Sequence, residues 1–229
     1  MGAPERRVIL VFVRAPLLGR VKTRLASALD ENLVLGLYRR FILDLLEMVD
    51  GLGAPVILCH TPADAGSVFH RWLPHRYTML PQEGAHLGLR MARAFEAVFA
   101  EGFREAILIG SDSPDLPGDY VRKAFSDLPD ADAVIGPSTD GGYYLIGFRS
   151  DTFCPALFDT VAWGTPQVLD ETLAIANANH LRIKLLPLWL DIDDVADLTE
   201  FIRRNNANRS SAPRTLSYLE EVNFINNFL

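Results

Sequence analysis

Acidic residues directly follow an apolar run in the segment AILIGSDSPDLP, residues 106–117. The run predicts a central strand, and open α/β sheets bind their ligands at the carboxyl ends of such strands. A carboxylate held there suits a divalent cation that carries phosphate, so Asp112 is the first candidate metal ligand. The alternative is that the acidic and serine residues of this segment cap the amino terminus of a following helix. We favour capping for Ser113 and Asp115, and metal binding for Asp112 because it lies nearest the strand.

A second acidic turn, LWLDIDDVADL at residues 188–198, lies between a predicted strand and a predicted helix. Asp191 and Asp193 are two residues apart, so their side chains would share a face if the strand continued. That spacing can deliver two carboxylates to one cation, and both residues are predicted metal ligands. We expect Asp194 instead to cap the following helix.

A basic loop, RAPLLGRVKTRLA at residues 14–26, follows the first apolar run of the chain. Its cations are Arg14, Arg20, Lys22 and Arg24. Pro16 and Gly19 restrict and then free the backbone, which allows a sharp turn. Such a cluster at a strand end is typical of a phosphate or pyrophosphate site. The alternative is a solvated basic face, which we accept for Arg20 alone.

A glycine loop, GPSTDGGYYLIG at residues 136–147, joins two apolar runs. Its Asp-Gly pair predicts a hairpin turn, and the residues alone favour that structural interpretation. Gly141 and Gly142 could also let the backbone approach a ligand closely.

The elements that must position these residues alternate along the chain. Strands are predicted at 8–13, 55–59, 77–80, 106–110, 133–136, 142–148 and 183–188, and helices at 32–49, 68–73, 87–99, 120–125, 165–178 and 195–204. This alternation predicts an α/β fold with helices on both faces of the sheet. We expect residues 1–204 to form the domain, 205–213 a linker and 214–229 a helical tail. The tail would pack on the domain or on a partner subunit, giving a homodimer.

The composition narrows the classes of protein to which this chain can belong. The 229 residues contain 49% hydrophobic and 22% charged residues and carry a net charge of −7, which fits one globular domain and disfavours nucleic-acid binding. Cys59 and Cys154 are far apart and predict buried thiols in a reducing compartment. No apolar stretch is long enough for a membrane span, and the amino-terminal run is too short for a signal peptide. We therefore expect a cytoplasmic protein.

In order, these segments resemble the bacterial family DUF2064, also described as selenodomain-associated transferase 1, which belongs with the GT-A-like nucleotide-diphospho-sugar transferases. The matching segments are RAPLLGRVKTRL, LYRRFILD, QEGAHLGLRMARAF, GSDSPDLP, GPSTDGGYYLIG, WGTPQVLDET and DIDDVADL. They extend from about Val8 to Leu198, which is nearly the whole chain.

The resemblance implies a Rossmann-like GT-A fold with three α/β/α layers and a mixed, mostly parallel central sheet. It also implies Mg²⁺ or Mn²⁺ bridging protein carboxylates and a nucleotide pyrophosphate. The residues that match the family's motifs are then Asp112, Asp191 and Asp193 as metal ligands, Arg14, Pro16, Gly19, Lys22 and Arg24 as the phosphate loop, and Asp140, Gly141, Gly142 and Tyr143 beside the acceptor.

The implied activity is metal-dependent transfer from a nucleotide-diphospho-sugar, with Asp140 as a candidate base for an acceptor hydroxyl. The alternatives are nucleotidyl transfer from a nucleoside triphosphate and a catalytically silent nucleotide-binding scaffold. The chain departs from the family pattern at His86, where Asp is usual, at Gly164, where Ser is usual, and at residues 194–196.

Overall fold

The computed structural model describes residues 6–73, 77–207 and 209–224 of the chain. Its strands are β1 (Arg7–Arg14), β2 (Val56–Thr61), β3 (Thr78–Pro81), β4 (Glu105–Ile109), β5 (Ala133–Pro137), β6 (Tyr143–Arg149) and β7 (Ile183–Leu185). They form one seven-stranded sheet in the order β3-β2-β1-β4-β6-β5-β7. Strand β6 runs antiparallel to β4 and β5, and the other neighbouring pairs are parallel. The predicted mixed, mostly parallel sheet is confirmed.

Helices cover both faces of this sheet. They are α1 (Thr23–Ala26), α2 (Glu31–Asp50), α3 (Gly66–His70), α4 (Leu87–Ala100), α5 (Gly118–Asp127), α6 (Val168–Ala178), α7 (Val195–Asn205) and α8 (Pro213–Glu221). Helix α1 is absent from the prediction because one turn is too short to show a helical period. Strand β7 ends at Leu185, earlier than predicted, since Pro187 has no N–H to donate to the ladder.

The apolar run of β1 shows why the fold has three layers. Successive side chains of a strand point to opposite faces. Ile9, Val11 and Val13 enter one core cluster with residues of α2, α5, α7 and α8. Val8, Leu10 and Phe12 enter a second cluster with residues of α4 and α6. A strand buried on both faces therefore needs an unbroken apolar sequence.

The carboxyl-terminal segment packs on α2. The backbone N–H groups of Arg214 and Thr215 donate to the Asp44 carboxylate at 3.1 and 2.8 Å, and Leu216 and Leu219 are buried. The predicted linker is shorter than residues 205–213, because Asn205 ends α7 and α8 already begins at residue 213. Residues 225–229 of the predicted tail helix lie outside the described residues.

The cysteines differ in their surroundings. Cys59 is buried in the sheet, and burial raises the pKa of its thiol, whereas Cys154 is only partly buried, contrary to the prediction. Across the described ranges, no helix combines the length and the apolar character needed to cross a membrane.

Candidate functional site

A cavity of about 790 Å³ opens at the carboxyl ends of β1 and β4. The sheet order reverses between these two strands, because the chain proceeds from β1 to β2 and β3 on one side and places β4 on the other. In open α/β sheets such a switch point is the usual ligand site, and this volume suits a small-molecule ligand. The basic loop, the residues after β4, the glycine loop and the acidic turn at 190–194 all line this switch-point cavity.

Lys22 lies at the centre of the charged groups in the cavity. Its Nζ is 2.8 Å from Asp112 Oδ1 and 2.9 Å from Asp193 Oδ1, and its side chain is 5% exposed. Burial alone would lower the pKa of the ammonium, but the negative charges of Asp112 and Asp193 outweigh burial and raise it. The backbone of Lys22 has a φ of 46°, in the left-handed region that non-glycine residues seldom adopt. The structure therefore pairs this predicted phosphate ligand with the predicted metal ligands.

Asp112 extends from the loop after β4 and has a side chain that is 41% exposed. Its carbonyl oxygen accepts a hydrogen bond from the N–H of Ile192 at 2.9 Å, which joins this loop to the acidic turn. Helix α5 begins only at Gly118, and its N-cap is Pro117. The N-cap alternative is therefore wrong for Asp112, which lines the cavity and pairs there with Lys22.

Asp191 is held by hydroxyl groups from two other loops. Ser113 Oγ donates to Asp191 Oδ1 at 2.5 Å, and Ser138 Oγ donates to Oδ2 at 3.0 Å. Burial, reinforced by the charge of Asp112, raises the pKa of Asp191 to about 6. The prediction that Ser113 caps a helix is wrong, because its hydroxyl donates its hydrogen bond to the Asp191 carboxylate. The sequence analysis missed Ser138, although it lies in the glycine-loop motif.

The other acidic side chains of the turn have separate partners. Asp194 caps α7 in a capping box with Asp197, as predicted. Asp193 faces Lys22, while Asp191 faces the serines, so the two carboxylates do not share one side of a continuing strand. Strand β7 ends before this turn, and the alternation assumed for a strand no longer applies.

The donor set bears on whether a metal could bind here. Asp112, Asp191 and Asp193 contribute three negative charges and Lys22 one positive charge, which leaves two negative charges within this group of four side chains. An excess of carboxylate oxygens suits a hard divalent cation such as Mg²⁺. Among the described residues, however, no three His, Cys, Asp or Glu side chains are grouped as a ready metal cage. The residues therefore fit a cation that is held by one or two carboxylates.

Three arginines of the basic loop lie at the mouth of the cavity. The Arg14 guanidinium donates to the carbonyl oxygen of Arg20 at 3.3 Å in an exposed position. Arg24 is 73% exposed, and its Nη1 is 3.6 Å from Asp193 Oδ2. Pro16 is buried and Gly19 has a φ of 67°, so the loop makes the sharp turn predicted from these residues. The guanidinium groups are thus placed where an anion entering the cavity would meet them.

Tyr38 of α2 connects the carboxyl ends of β1 and β4. The sequence did not predict a role for this residue. Its hydroxyl accepts from the N–H of Arg14 at 3.0 Å and shares a hydrogen bond of 3.0 Å with Ser111 Oγ. Burial, together with the charge of Asp112, raises the pKa of Tyr38 to about 12. The signal for this residue was its place in the motif LYRRFILD.

The capping prediction for Asp115 is also wrong. It is buried and accepts from Arg204 Nε at 2.7 Å, from Arg204 Nη2 at 2.6 Å and from Asn205 Nδ2 at 2.6 Å. Arg204 also stacks over the ring of Trp189, just before the acidic turn. Asp115 thus caps no helix. Its hydrogen bonds to Arg204 and Asn205 hold α7 and the acidic turn against the loop after β4.

The glycine loop forms the predicted hairpin between β5 and β6. Asp140 Oδ1 accepts from the N–H of Gly142 at 2.9 Å, and the Gly141 carbonyl accepts from the N–H of Leu169 at 2.9 Å. Gly141 has a φ of 88°, and a Cβ there would lie 2.0 Å from the Pro166 carbonyl oxygen, so only glycine fits. The exposed Asp140 lines the cavity.

The remaining residues of interest lie at the edge of the cavity. Tyr143 packs edge-on against Trp163, with ring centroids 6.2 Å apart. Gly164 lines the cavity with a φ of 84°. His86 is the N-cap of α4, where its Nδ1 accepts from the N–H of Leu89 at 3.3 Å. An N-cap side chain accepts from a backbone N–H of the first helical turn, and this imidazole nitrogen does so here.

Comparisons with known proteins agree with this fold and identify the family. A family model described as an uncharacterized protein conserved in bacteria, DUF2064, matches residues 45–165. A crystal structure from Desulfovibrio desulfuricans G20, of a protein provisionally described as a nucleotide-diphospho-sugar transferase, is 40% identical. That match covers 95% of each chain with a TM-score of 0.90. No curated protein matches the chain.

More distant structures share the fold alone. CMP:2-keto-3-deoxy-manno-octonic acid synthetase complexed with CTP is 12% identical, with a TM-score of 0.57 over 89% of this chain and 99% of the other. The inositol-1-phosphate CTP transferase from T. maritima is 15% identical, with a TM-score of 0.53 over 96% and 98% of the chains. Rv0371c from Mycobacterium tuberculosis H37Rv, in complex with manganese, is 14% identical, with a TM-score of 0.55 over 86% and 98%.

Proposed function

This chain belongs to the DUF2064 family, and we propose that it is a divalent-metal-dependent transferase that uses a nucleotide-diphospho-sugar donor. One observation carries the proposal: at the switch point of the sheet, four carboxylates and a cluster of cationic side chains line the same cavity. A cavity that presents both signs of charge suits a cation together with a phosphate-rich ligand.

The basic loop would bind the donor's pyrophosphate. Arg14 and Arg24 lie at the mouth of the cavity, where their guanidinium groups can bind phosphate oxygens in pairs. Lys22 holds Asp112 and Asp193 in place through its two ion pairs. Since these cations are already positioned, they stabilise negative charge that develops on the leaving diphosphate.

Asp112 and Asp191 would be the principal ligands of Mg²⁺ or Mn²⁺, with Asp193 close by on the same turn. The serine hydroxyls on Asp191 fix the orientation of its carboxylate, as hydrogen-bonded partners of metal ligands usually do. When bound, the cation would neutralise charge on the diphosphate as the bond to the sugar breaks.

The glycine loop would face the acceptor. The Asp140 carboxylate is fixed at Oδ1 by the N–H of Gly142, which leaves Oδ2 for a proton from an acceptor hydroxyl. Tyr143 and Trp163 form an aromatic wall of the same cavity, which offers an acceptor an apolar surface to pack against.

The test is calorimetric titration with UDP-glucose, GDP-mannose, ADP-glucose and CDP-glucose in the presence of Mn²⁺. We expect at least one to bind, and Asp112→Asn to abolish that binding. Asp119→Asn is the matched control, because its carboxylate is 88% exposed and pairs only with Arg122 among the described residues. Unchanged affinity of Asp112→Asn would refute the metal assignment.

Two further measurements on the same protein separate the alternatives. Release of pyrophosphate from a nucleoside triphosphate and a sugar phosphate would replace glycosyl transfer by nucleotidyl transfer. A nucleotide that raises the melting temperature but undergoes no transfer would favour the catalytically silent nucleotide-binding scaffold, because any ligand of the folded state stabilises it.

A further inference from the structure

Arg90 of α4 is a cation at the switch-point cavity that lies outside the basic loop. The other lysine and arginine side chains among the described residues that line the cavity all belong to that loop, namely Arg14, Arg20, Lys22 and Arg24. The neighbour of Arg90, Met91, is buried in the second core cluster, whereas Val21 of the basic loop is buried in the first. The two sources of positive charge therefore reach the cavity from opposite faces of the sheet.

The backbone holds one edge of the Arg90 guanidinium group. Its Nε donates to the carbonyl oxygen of Gly84 at 2.9 Å. Gly84 has a φ of 144°, and a Cβ there would lie 3.0 Å from the backbone nitrogen of Arg90, so the loop before α4 packs tightly against the helix. The carbonyl group that orients the guanidinium is therefore itself fixed in position.

The other edge of the guanidinium has no partner in the part of the chain that the structure describes. Neither Nη atom of Arg90 makes a hydrogen bond or an ion pair there, although the side chain is only partly exposed. With Nε committed to Gly84, the two Nη groups still present parallel N–H donors, which is the fork that binds a carboxylate or a phosphate through two hydrogen bonds. Bracing the loop uses a single N–H and accounts for neither the charge nor the fork.

We propose that Arg90 binds a carboxylate or a phosphate on the transferred sugar or on the acceptor, so that one of these two groups carries negative charge. The inference rests on the proposed function, in which the basic loop and the cation take the diphosphate of the donor. Because the base and the ribose of the nucleotide are uncharged, a second anion has to come from the sugar or from the acceptor.

The position of α4 agrees with this assignment. The aromatic wall of Tyr143 and Trp163 packs against the second core cluster, to which α4 also contributes. A Cβ at Gly88 would lie 2.5 Å from Trp163 Nε1, so the indole contacts the first turn of the same helix. Arg90 therefore enters the cavity from the face on which the acceptor is proposed to bind.

The expected effect is a preference for acidic ligands over neutral ones of the same shape. A neutral ligand would displace water from the fork and leave a partly buried guanidinium without an acceptor, and sites built around such committed groups reject the analogue that lacks the matching group. Hydrogen bonds to charged groups change affinity by about tenfold to a hundredfold.

The experiment is calorimetric titration of the full chain with ligand pairs that differ in charge, in the presence of Mn²⁺. The donor arm compares UDP-glucuronate with UDP-glucose and GDP-mannuronate with GDP-mannose. The acceptor arm compares glucuronate and glucose 6-phosphate with glucose, at a saturating concentration of whichever of UDP, GDP, ADP and CDP binds most tightly. We expect the acidic member to bind about tenfold or more tightly in one arm, which identifies the substrate that carries the anion. If neither arm shows this preference, the proposal is overturned.

Three variants assign the preference to this residue. Arg90→Met should bring acidic and neutral ligands to about equal affinity. Arg93→Met is the matched control and should keep the wild-type preference, because Arg93 is exposed on the same helix and is not among the described residues that line the cavity. Arg90→Lys keeps the charge but removes the fork, so it should retain only part of the preference.

An Arg90→Met protein that melts at a lower temperature but keeps the preference would show that Arg90 only braces the loop, and would overturn the proposal. If this variant fails to fold, the comparison of Arg90→Lys with the wild type decides. The proposed function fails on a different result, the absence of binding by every nucleotide-sugar. In that case the acceptor arm without nucleotide still tests Arg90, because glucose 6-phosphate should bind the wild type more tightly than the Arg90→Met protein.

Discussion

Replacing Lys22 by Met would remove the ammonium that lies between the carboxylates of Asp112 and Asp193. Lys22 Nζ is 2.8 Å from Asp112 and 2.9 Å from Asp193. Methionine fills a similar volume, so the change removes charge more than packing. The variant leaves Asp112 and Asp193 without the ammonium between them, although Arg24 remains 3.6 Å from Asp193.

The expected loss of stability follows from burial. Removing one partner of a fully buried ion pair costs about 3–5 kcal/mol, and removing one from an exposed pair costs about 0–1 kcal/mol. The Lys22 side chain is 5% exposed, but those of Asp112 and Asp193 are 41% and 35% exposed. We therefore expect the free energy of unfolding to fall by about 2 kcal/mol, or the melting temperature by about 4–8 °C.

The loss should also depend on pH. The raised pKa of Lys22 means that its stabilising effect is fully present below the ordinary value of 10.5 and is lost only at more alkaline pH. Lys22 is one of the influences that lower the pKa of Asp191. Without it that pKa rises above about 6, so the stability deficit of the variant should be larger near pH 8 than near pH 5.

The assay is urea unfolding of the metal-free protein at both pH values, with Arg24→Met as the matched control. Arg24 is 73% exposed and 3.6 Å from Asp193, so its replacement should cost less than about 0.5 kcal/mol. A Lys22→Met protein as stable as the wild type at both pH values would refute the charge-balance reasoning. Equal losses in the two variants would refute the role assigned to burial.

Three further outcomes follow from the structure. Because the raised pKa of Asp191 makes folding less favourable as pH rises from 3.8 through about 6, Asp191→Asn should stabilise the metal-free protein by about 1–3 kcal/mol near pH 8 and by much less near pH 4, measured by urea unfolding. Gly141→Ala should destabilise the protein by about 2–4 kcal/mol, since its Cβ would collide with the Pro166 carbonyl in a positive-φ turn; an unchanged melting temperature would contradict this. Arg204→Met leaves the buried Asp115 without its bidentate partner and should cost about 3 kcal/mol, checked by calorimetric melting, with a loss below 1 kcal/mol counting against the anchoring role.

The local sequence pattern was sufficient to predict the layers of the fold and several of its turns. The unbroken apolar run of β1 predicts a strand covered on both faces, and its side chains do enter two separate core clusters. The capping role of Asp194 and the hairpin at the glycine loop were also predictable. In each case the residues responsible lie within a few positions of one another, so the sequence window contains the whole interaction.

The partners of the charged residues required the tertiary structure. In sequence, Ser113 and Asp115 look like helix caps, but their partners Asp191 and Arg204 come from a turn and a helix much later in the chain. The basic loop likewise predicts a phosphate ligand at Lys22, whereas the fold pairs its ammonium with two carboxylates. Residue types along the chain therefore determined that cations and carboxylates would meet at the carboxyl ends of β1 and β4. Which cation neutralises which carboxylate was decided only by folding, because the sheet brings distant loops to one edge and charge balance is set by distance in space.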